Sequence, residues 1–252
     1  MMDLKYHLHR TLLGHIYHRW KERRFEKHTL PKTAITELEG VRLDVENLDI
    51  NIKRNILIKA YEAPEIAICK KIIEPGEKIL EIGGAIGFVG LFCLISLRAE
   101  TVVSVEPNPM TLKRFRKNYQ LNGFTPNIIE AAIADEDKNI QLKTSSEFWT
   151  DSILAFSNNS MADLIEVKAM TLASILRAAK DQFSTLIIDV EGAETLIKWD
   201  QLPSSVDKLI LELHPDMVGY PMAYRVLNEI LSRGFQVVDR NANVFGLVKR
   251  AE

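Results

Sequence analysis

Glu74-Pro75-Gly76-Glu77-Lys78-Ile79-Leu80-Glu81-Ile82-Gly83-Gly84-Ala85-Ile86-Gly87-Phe88-Val89-Gly90 reads as a strand running straight into a helix. Pro75 and Gly76 break whatever precedes it. Lys78 to Ile82 form a short apolar run bounded by turn residues, and Gly83, Gly84 and Gly87 make a tight turn before a helix over Phe88 to Leu97. Glycines there tolerate positive φ and let a ligand lie on the main chain, while the helix start offers unpaired N–H groups and its positive dipole end to an anionic group. Two readings fit this loop: a seat for a nucleotide-like cofactor, or a plain tight connection. The dinucleotide fingerprint G-x-G-x-x-G does not fit, because Ala85 and Phe88 stand where it needs glycines, and this disfavours NAD.

The next strand supports the cofactor. Thr101 to Val105 deliver Glu106 at a strand tip, followed by Pro107-Asn108-Pro109, some two dozen residues beyond the loop. An acid so placed holds a ribose through its hydroxyls; the alternative is a helix-capping carboxylate. Loop and acid together favour the ribose.

The chain has 252 residues, 46% of them apolar, enough for a full core in one α/β domain with an N-terminal extension. A net charge of −2 selects no partner. No leader-like pattern is visible and the longest apolar run, Ile86 to Leu97, is too short for a bilayer, so the expected location is cytoplasmic. Cys69 and Cys93 lie in apolar helical patterns without metal-ligand spacing, as buried reduced thiols do.

Residues 1–28 carry Leu4, Leu8, Leu12, Ile16 and Trp20 at every fourth position, among many Arg, Lys and His residues. This predicts an amphipathic basic helix that lies on an anionic membrane, docks on a partner or second copy, or packs on its own domain. Thr36 to Ile58 reads as short strands with turns near Glu39-Gly40 and Asn47, so residues 1–58 form an extension and 59–252 the main domain. A helix opens at Tyr61-Glu62-Ala63-Pro64-Glu65, with Pro64 and Glu65 suited to its first turn. Thr111 to Leu121 give another helix whose cations read as a solvated face, with no nucleic-acid patch. Asn127 to Ala132 give a third strand.

An insertion near 141–167 holds a strand or two, a turn at Ser157-Asn158-Asn159-Ser160, and the pair Phe148-Trp149, either a substrate cap or local core. Thr171 to Ala179 is helical. Thr185 to Ile188 run into Asp189-Val190-Glu191-Gly192-Ala193-Glu194 and feed a helix, and Lys208 to Leu213 end at His214-Pro215-Asp216. Tyr224 to Arg233 is a helix, and Phe235 to Val238 with Val244 to Val248 form a hairpin-like pair. This alternation predicts a doubly wound α/β sheet with an antiparallel C-terminal edge strand. Its ligand crevice lies at the strand C-termini, which gathers Glu81, Glu106, Asp135, Asp189, Glu191 and His214.

In order, Tyr61-Glu62 with Glu65, Pro75-Gly76, Glu81 to Gly87, Glu106-Pro107-Asn108-Pro109, Asn118 with Leu121-Asn122, Ala131-Ala132 to Asp135, and Asp189 to Glu194 resemble the FkbM family of S-adenosylmethionine-dependent methyltransferases. The resemblance spans residues 50 to 215. The family reads Asp-Val-Gly-Ala-Asn-Ile-Gly where this chain has Glu81 to Gly87, so Glu81 lengthens an acid and Ala85 removes an amide. The resemblance implies a class I methyltransferase fold and S-adenosylmethionine held by Glu65, Glu81, Gly83, Gly84, Gly87, Glu106, Asn108 and Ala132. It also implies methyl transfer to a hydroxyl of a sugar, glycan or small metabolite.

Methyl transfer from a sulfonium is an in-line displacement, in which positioning supplies roughly 7–11 kcal/mol. A base adds about 10²–10⁴-fold for an alcohol; the candidates are Asp189, Glu191 and His214, against plain capping or strand-end roles. Too few ligands converge to predict a metal. Asp-Val-Glu-Gly at the end of strand four differs from the Asn-Pro-Pro-Tyr type that holds a base amino group, which disfavours nucleic-acid amino-methylation. The alternative from another class is a non-catalytic binding or assembly protein whose altered loop has lost the cofactor.

Overall fold

The computed structural model describes residues 34–143 and 164–250. The helix expected over residues 1–28, the Phe148-Trp149 pair and the turn at 157–160 lie outside these. The order is β1 (Ile35–Leu38), β2 (Val41–Asp44), α1 (Ile50–Leu57), α2 (Ala63–Ile72), β3 (Lys78–Ile82), α3 (Phe88–Ile95), β4 (Thr101–Val105), α4 (Pro109–Leu121) and β5 (Asn127–Ile129). Then come β6 (Ala132–Ile133), β7 (Lys138–Lys143), β8 (Leu164–Met170), α5 (Leu172–Ala179), β9 (Thr185–Ile188), β10 (Lys208–Glu212), α6 (Pro215–Val218), α7 (Tyr220–Leu231), β11 (Phe235–Asn241) and β12 (Val244–Lys249).

Seven strands form the main sheet in the order β11-β12-β10-β9-β3-β4-β5. Strands β5, β4, β3, β9 and β10 are parallel; β12 runs against β10, and β11 folds back on β12 in a hairpin. The middle of the five parallel strands is β3, whose Ile79, Leu80 and Ile82 are at most 1% exposed, each contributing roughly 1.5–3 kcal/mol by burial. From β3 the chain first builds outward through β4 and β5, then returns to lay β9 on the other side of β3. That reversal opens a crevice beyond the strand ends, as in other doubly wound sheets. Apolar cores fill both faces. Among the described residues no helix is long and apolar enough to cross a membrane.

Four local expectations change. Residues 50–57 are helix α1, not strand: Asp49 accepts the Asn51 N–H at 2.7 Å as its cap, and Ile52 and Ile56 bury one face four residues apart, although Ile50 and Ile52 also alternate as a strand would. The third strand stops at Ile129, whose carbonyl accepts the Ala131 N–H, and the chain moves to a separate sheet, β6-β8-β7. After β9, left-handed Glu191 (φ 49°) and Gly192 (φ 95°) turn the chain into short 3₁₀ turns, not a regular helix. Helix α7 begins at Tyr220, four residues before the expected start, with Pro221 in its first turn.

The β1–β2 hairpin turns on Glu39 and Gly40, both at positive φ, and packs into the same core as α2, α3 and β3. Asn118 of α4, fully buried, joins it to the glycine loop: its Oδ1 accepts the Asp44 N–H at 2.8 Å and its Nδ2 donates to the Ile86 carbonyl at 2.8 Å. Cys69 and Cys93 are buried free thiols.

Candidate active site

The parallel register sets the site. Ile82 of β3 pairs with Val105 of β4 and Ile188 of β9, and Ile188 pairs with Leu211 of β10, so the next residues, Gly83, Glu106, Asp189 and Glu212, emerge side by side. They border a cavity of ≈ 510 Å³, within the range of small-molecule sites. One wall is apolar, with Ile82, Val105, Pro107, Ala131, Ala132, Ile133 and Leu142. The other carries Asp189, Glu191, Glu212, His214 and Asp216, while Glu62 and Glu106 complete the acidic set. No described lysine or arginine lines it.

Glu106 is 7% exposed, and both of its oxygens are fixed by backbone donors: Oε2 accepts the Ala85 N–H at 3.0 Å and Oε1 the Asn108 N–H at 2.9 Å. Ala85 holds φ 44°, a left-handed position where asparagine is the better-tolerated residue, yet its N–H still ties the loop to Glu106. The Gly83 and Gly84 N–H groups donate to the Val105 carbonyl at 2.9 and 3.0 Å. Protein, rather than ligand, occupies the bare sides of these glycines. A Cβ on Gly83 would lie 1.6 Å from the Asp189 carbonyl oxygen, and on Gly84 or Gly87 it would press on the Phe115 or Tyr119 ring.

Glu81 sits beneath the loop, 2% exposed. It accepts from the Gly90 N–H at 2.9 Å and from the Ser104 hydroxyl. Burial lifts its carboxyl to about 7 in spite of those donors.

At the acidic end, burial pushes Glu62 well above the usual carboxylate range, with Glu65 adding to the effect; burial also raises Glu65. Glu212 rises to about 9 through burial and then its Asp189 and Glu65 neighbours, and Glu191 to about 7 through burial and then Asp189. His214 stands among them, with Nε2 3.3 Å from Asp189 Oδ1 and 3.7 Å from Glu191 Oε2, and Nδ1 3.5 Å from Glu194 Oε1. Burial alone would lower its pKa, but Asp189, Glu194 and Glu191 push it up to about 11. Glu194, fully buried, accepts the His214 backbone N–H at 2.8 Å and, against its burial, is held below the usual carboxylate range by His214.

The profile of the methyltransferase FkbM domain matches residues 81–237, more than half of the chain. The chain belongs to the methyltransferase FkbM domain family. Comparison with curated proteins gives no match. Among solved structures, it is similar to the FkbM methyltransferase of Methylobacillus flagellatus KT at 14% identity over 79% of this chain and 53% of that one, with a TM-score of 0.49. It is also similar to a methyltransferase from Pyrococcus furiosus at 11% identity, over 92% and 96% of the two chains with a TM-score of 0.45. A third is M. capricolum TrmK, determined with S-adenosyl-homocysteine, at 11% identity over 73% and 65% with a TM-score of 0.39. The chain thus spans about half the length of the first of these.

In this FkbM-family chain the cavity brings together Gly83, Glu106, Ala132, Asp189, Glu191 and His214 from the sequence-derived set. Glu65, Glu81 and Gly84 line a narrower pocket that shares Tyr61, Glu62, Ile82, Gly83, Ala85 and Asp189 with it. Gly87 and Asn108 line neither pocket: Gly87 precedes α3 at φ 80°, and Asn108 caps α4 by accepting the Met110 N–H at 2.8 Å. Asp135, expected at the same edge, is exposed beyond the small sheet. Sequence reading missed Glu212, and gave no site role to Glu62 and Glu194, which it named only among the family motifs. Glu212 was legible as the residue two before His214, on the same side of one extended strand. Its ligand atoms and those of Asp189 and His214 lie within 4.8 Å of one another.

Proposed function

We propose that the protein is an S-adenosylmethionine-dependent O-methyltransferase acting on a hydroxyl of a sugar, glycan or small metabolite. The observation that carries this is the acid-rich lining of the cavity: six carboxyl groups, of which burial raises Glu62, Glu191 and Glu212, stand with His214 and no described lysine or arginine around a site at the sheet's reversal point. Such a lining favours a sulfonium and an ammonium and repels the pyrophosphate of a dinucleotide. The fit extends to the donor set. Glu106, fixed through two backbone N–H groups, would hold the ribose, and the slot of Ile82, Val105, Pro107 and Ala131 would take the purine. The cofactor supplies an electrophilic methyl group when bound. The chain's own part is to line up the acceptor, exclude water and take its proton, for which Asp189 and Glu191 are the carboxylates facing the cavity beside His214.

Thermal unfolding tests this reading. A ligand at about 100 times its Kd adds roughly 2.7 kcal/mol, or a Tm shift of about 5–10 °C for a chain of this length. S-adenosylmethionine and S-adenosylhomocysteine should each give such a shift and NAD none. No shift with either sulfur ligand would sink the reading and favour a binding protein on a methyltransferase fold.

A further inference from the structure

We propose that Asp189, Glu212 and His214 bind a divalent cation of the Mn²⁺ class at the acceptor side of the cavity. The inference rests on the methyltransferase reading of the same cavity only for the use made of the ion; the binding stands on its own geometry. Three donors of the right kinds converge from two adjacent strand ends, one atom from each lying within 4.8 Å of the others. Asp189 Oδ1 and His214 Nε2 are 3.3 Å apart, the separation of two atoms each about 2.0–2.2 Å from one ion. Asp189 Oδ1 is buried, and the His214 Nε2 3.3 Å away is the group it faces. His214 is 8% exposed, and its Nδ1 points away from the cavity toward Glu194 Oε1 at 3.5 Å.

Behind the imidazole stands Glu194, fully buried, gripping the His214 backbone N–H and facing Nδ1 at 3.5 Å. A carboxylate behind a histidine is the usual device that fixes the ring and its tautomer, leaving the far nitrogen to the metal. Two carboxylate oxygens with one imidazole nitrogen suit Mn²⁺ better than a thiol-preferring ion, and no described cysteine lies near. No described lysine or arginine lines the cavity to compete for these oxygens. Three protein donors leave further positions open to the cavity. The acceptor class that fills them carries two adjacent oxygens, as in vicinal hydroxyls or a hydroxyl beside a carbonyl. The rival is a simple His214–Asp189 ion pair with no metal.

The test uses the full chain, stripped with chelator and titrated with Mn²⁺, with free Mn²⁺ read by electron paramagnetic resonance. One Mn²⁺ should bind per chain, and spin-echo modulation should show a directly bound imidazole nitrogen, a readout that needs no variant. Glu212→Gln and His214→Ala should abolish binding, and Glu194→Gln should weaken it about 10- to 100-fold. Absence of bound Mn²⁺, or binding without nitrogen modulation, would overturn the proposal. S-adenosylhomocysteine binding is measured on the same stripped sample. A chain that binds S-adenosylhomocysteine but takes up no Mn²⁺ on titration overturns the metal and spares the methyltransferase; one that takes up Mn²⁺ but does not bind S-adenosylhomocysteine does the reverse.

Discussion

At the scale of single residues, Gly83 has the least room to change. Its φ of 96° already disfavours any side chain, and the Cβ of an alanine would lie 1.6 Å from the Asp189 carbonyl oxygen, a backbone atom. Left-handed strain of about 1–2 kcal/mol and a core overpacking penalty of about 1–3 kcal/mol act together. Gly83→Ala should lose roughly 2–5 kcal/mol, read as a lower urea midpoint at unchanged slope, and should weaken ligand binding because β3 and β9 must part. Near-normal stability would show that the two strand ends are not held as close as this. Glu81 makes a different kind of statement. Its carboxyl rises from 4.5 to about 7 on folding, so the folded chain holds the proton more tightly than the unfolded one. The resulting stabilisation is full below pH 4.5 and is lost as pH climbs to about 7, a change on the order of 3 kcal/mol. Asp189, just past β9, is the charged neighbour that adds to this rise. Stability of the wild type relative to Glu81→Gln should therefore decline between pH 4.5 and 7 and level off above; a flat difference across that window would refute the assignment.

At the scale of elements, α4 ties the N-terminal hairpin to the glycine loop. Asn118 meets the Asp44 N–H on one side and the Ile86 carbonyl on the other, and Asp44 is in turn paired with Arg114 at 3.0 Å and Lys117 at 2.9 Å. Asn118→Ala leaves two backbone groups without their partner, at about 1–3 kcal/mol each. The expected loss is about 2–4 kcal/mol in denaturant unfolding, together with a weaker S-adenosylhomocysteine complex because the Ile86 carbonyl is released. An unchanged complex in a destabilised protein would confine the role of α4 to packing. The elements differ in how plainly the sequence announces them. Strands β3, β4, β9 and β10 are continuous apolar runs bounded by turn residues, and they fall within a residue of their reading. Helix α1 was misread because Ile50 and Ile52 alternate as a strand does, and only the Asp49 cap and the Ile52–Ile56 spacing mark the helix. The break after Ile129 has no local signal at all, since tertiary pairing sends Ala132 and Ile133 to another sheet.

For the whole molecule, the sheet order and the crevice follow from the alternation of elements, which is why Gly83, Glu106, Asp189, Glu191 and His214 could be brought together from sequence alone. What sequence could not show is which strand-end acids turn inward. Glu81 carries the same motif position as a cofactor acid yet braces Gly90, while Glu212, one residue short of the strand end it was judged by, reaches the cavity. The glycines likewise stand where they were expected, for a reason visible only in three dimensions: Phe115, Tyr119 and the Asp189 backbone crowd their bare sides.

The pairing of β3 with β9 has a further consequence, for time rather than for chemistry. Ile82 meets Ile188 across more than a hundred residues of chain, and Glu212 and His214 arrive later still. Contacts so distant in sequence are slow to form, because the loop between them must be closed before they can stabilise it. As the chain leaves the ribosome, the glycine loop and Glu106 can take shape beside β3 and β4, while the opposite wall has yet to be made. A partly synthesised chain can present the Glu106 side of the cavity but not the wall of Asp189, Glu212 and His214, which is complete only when its last parallel strand docks.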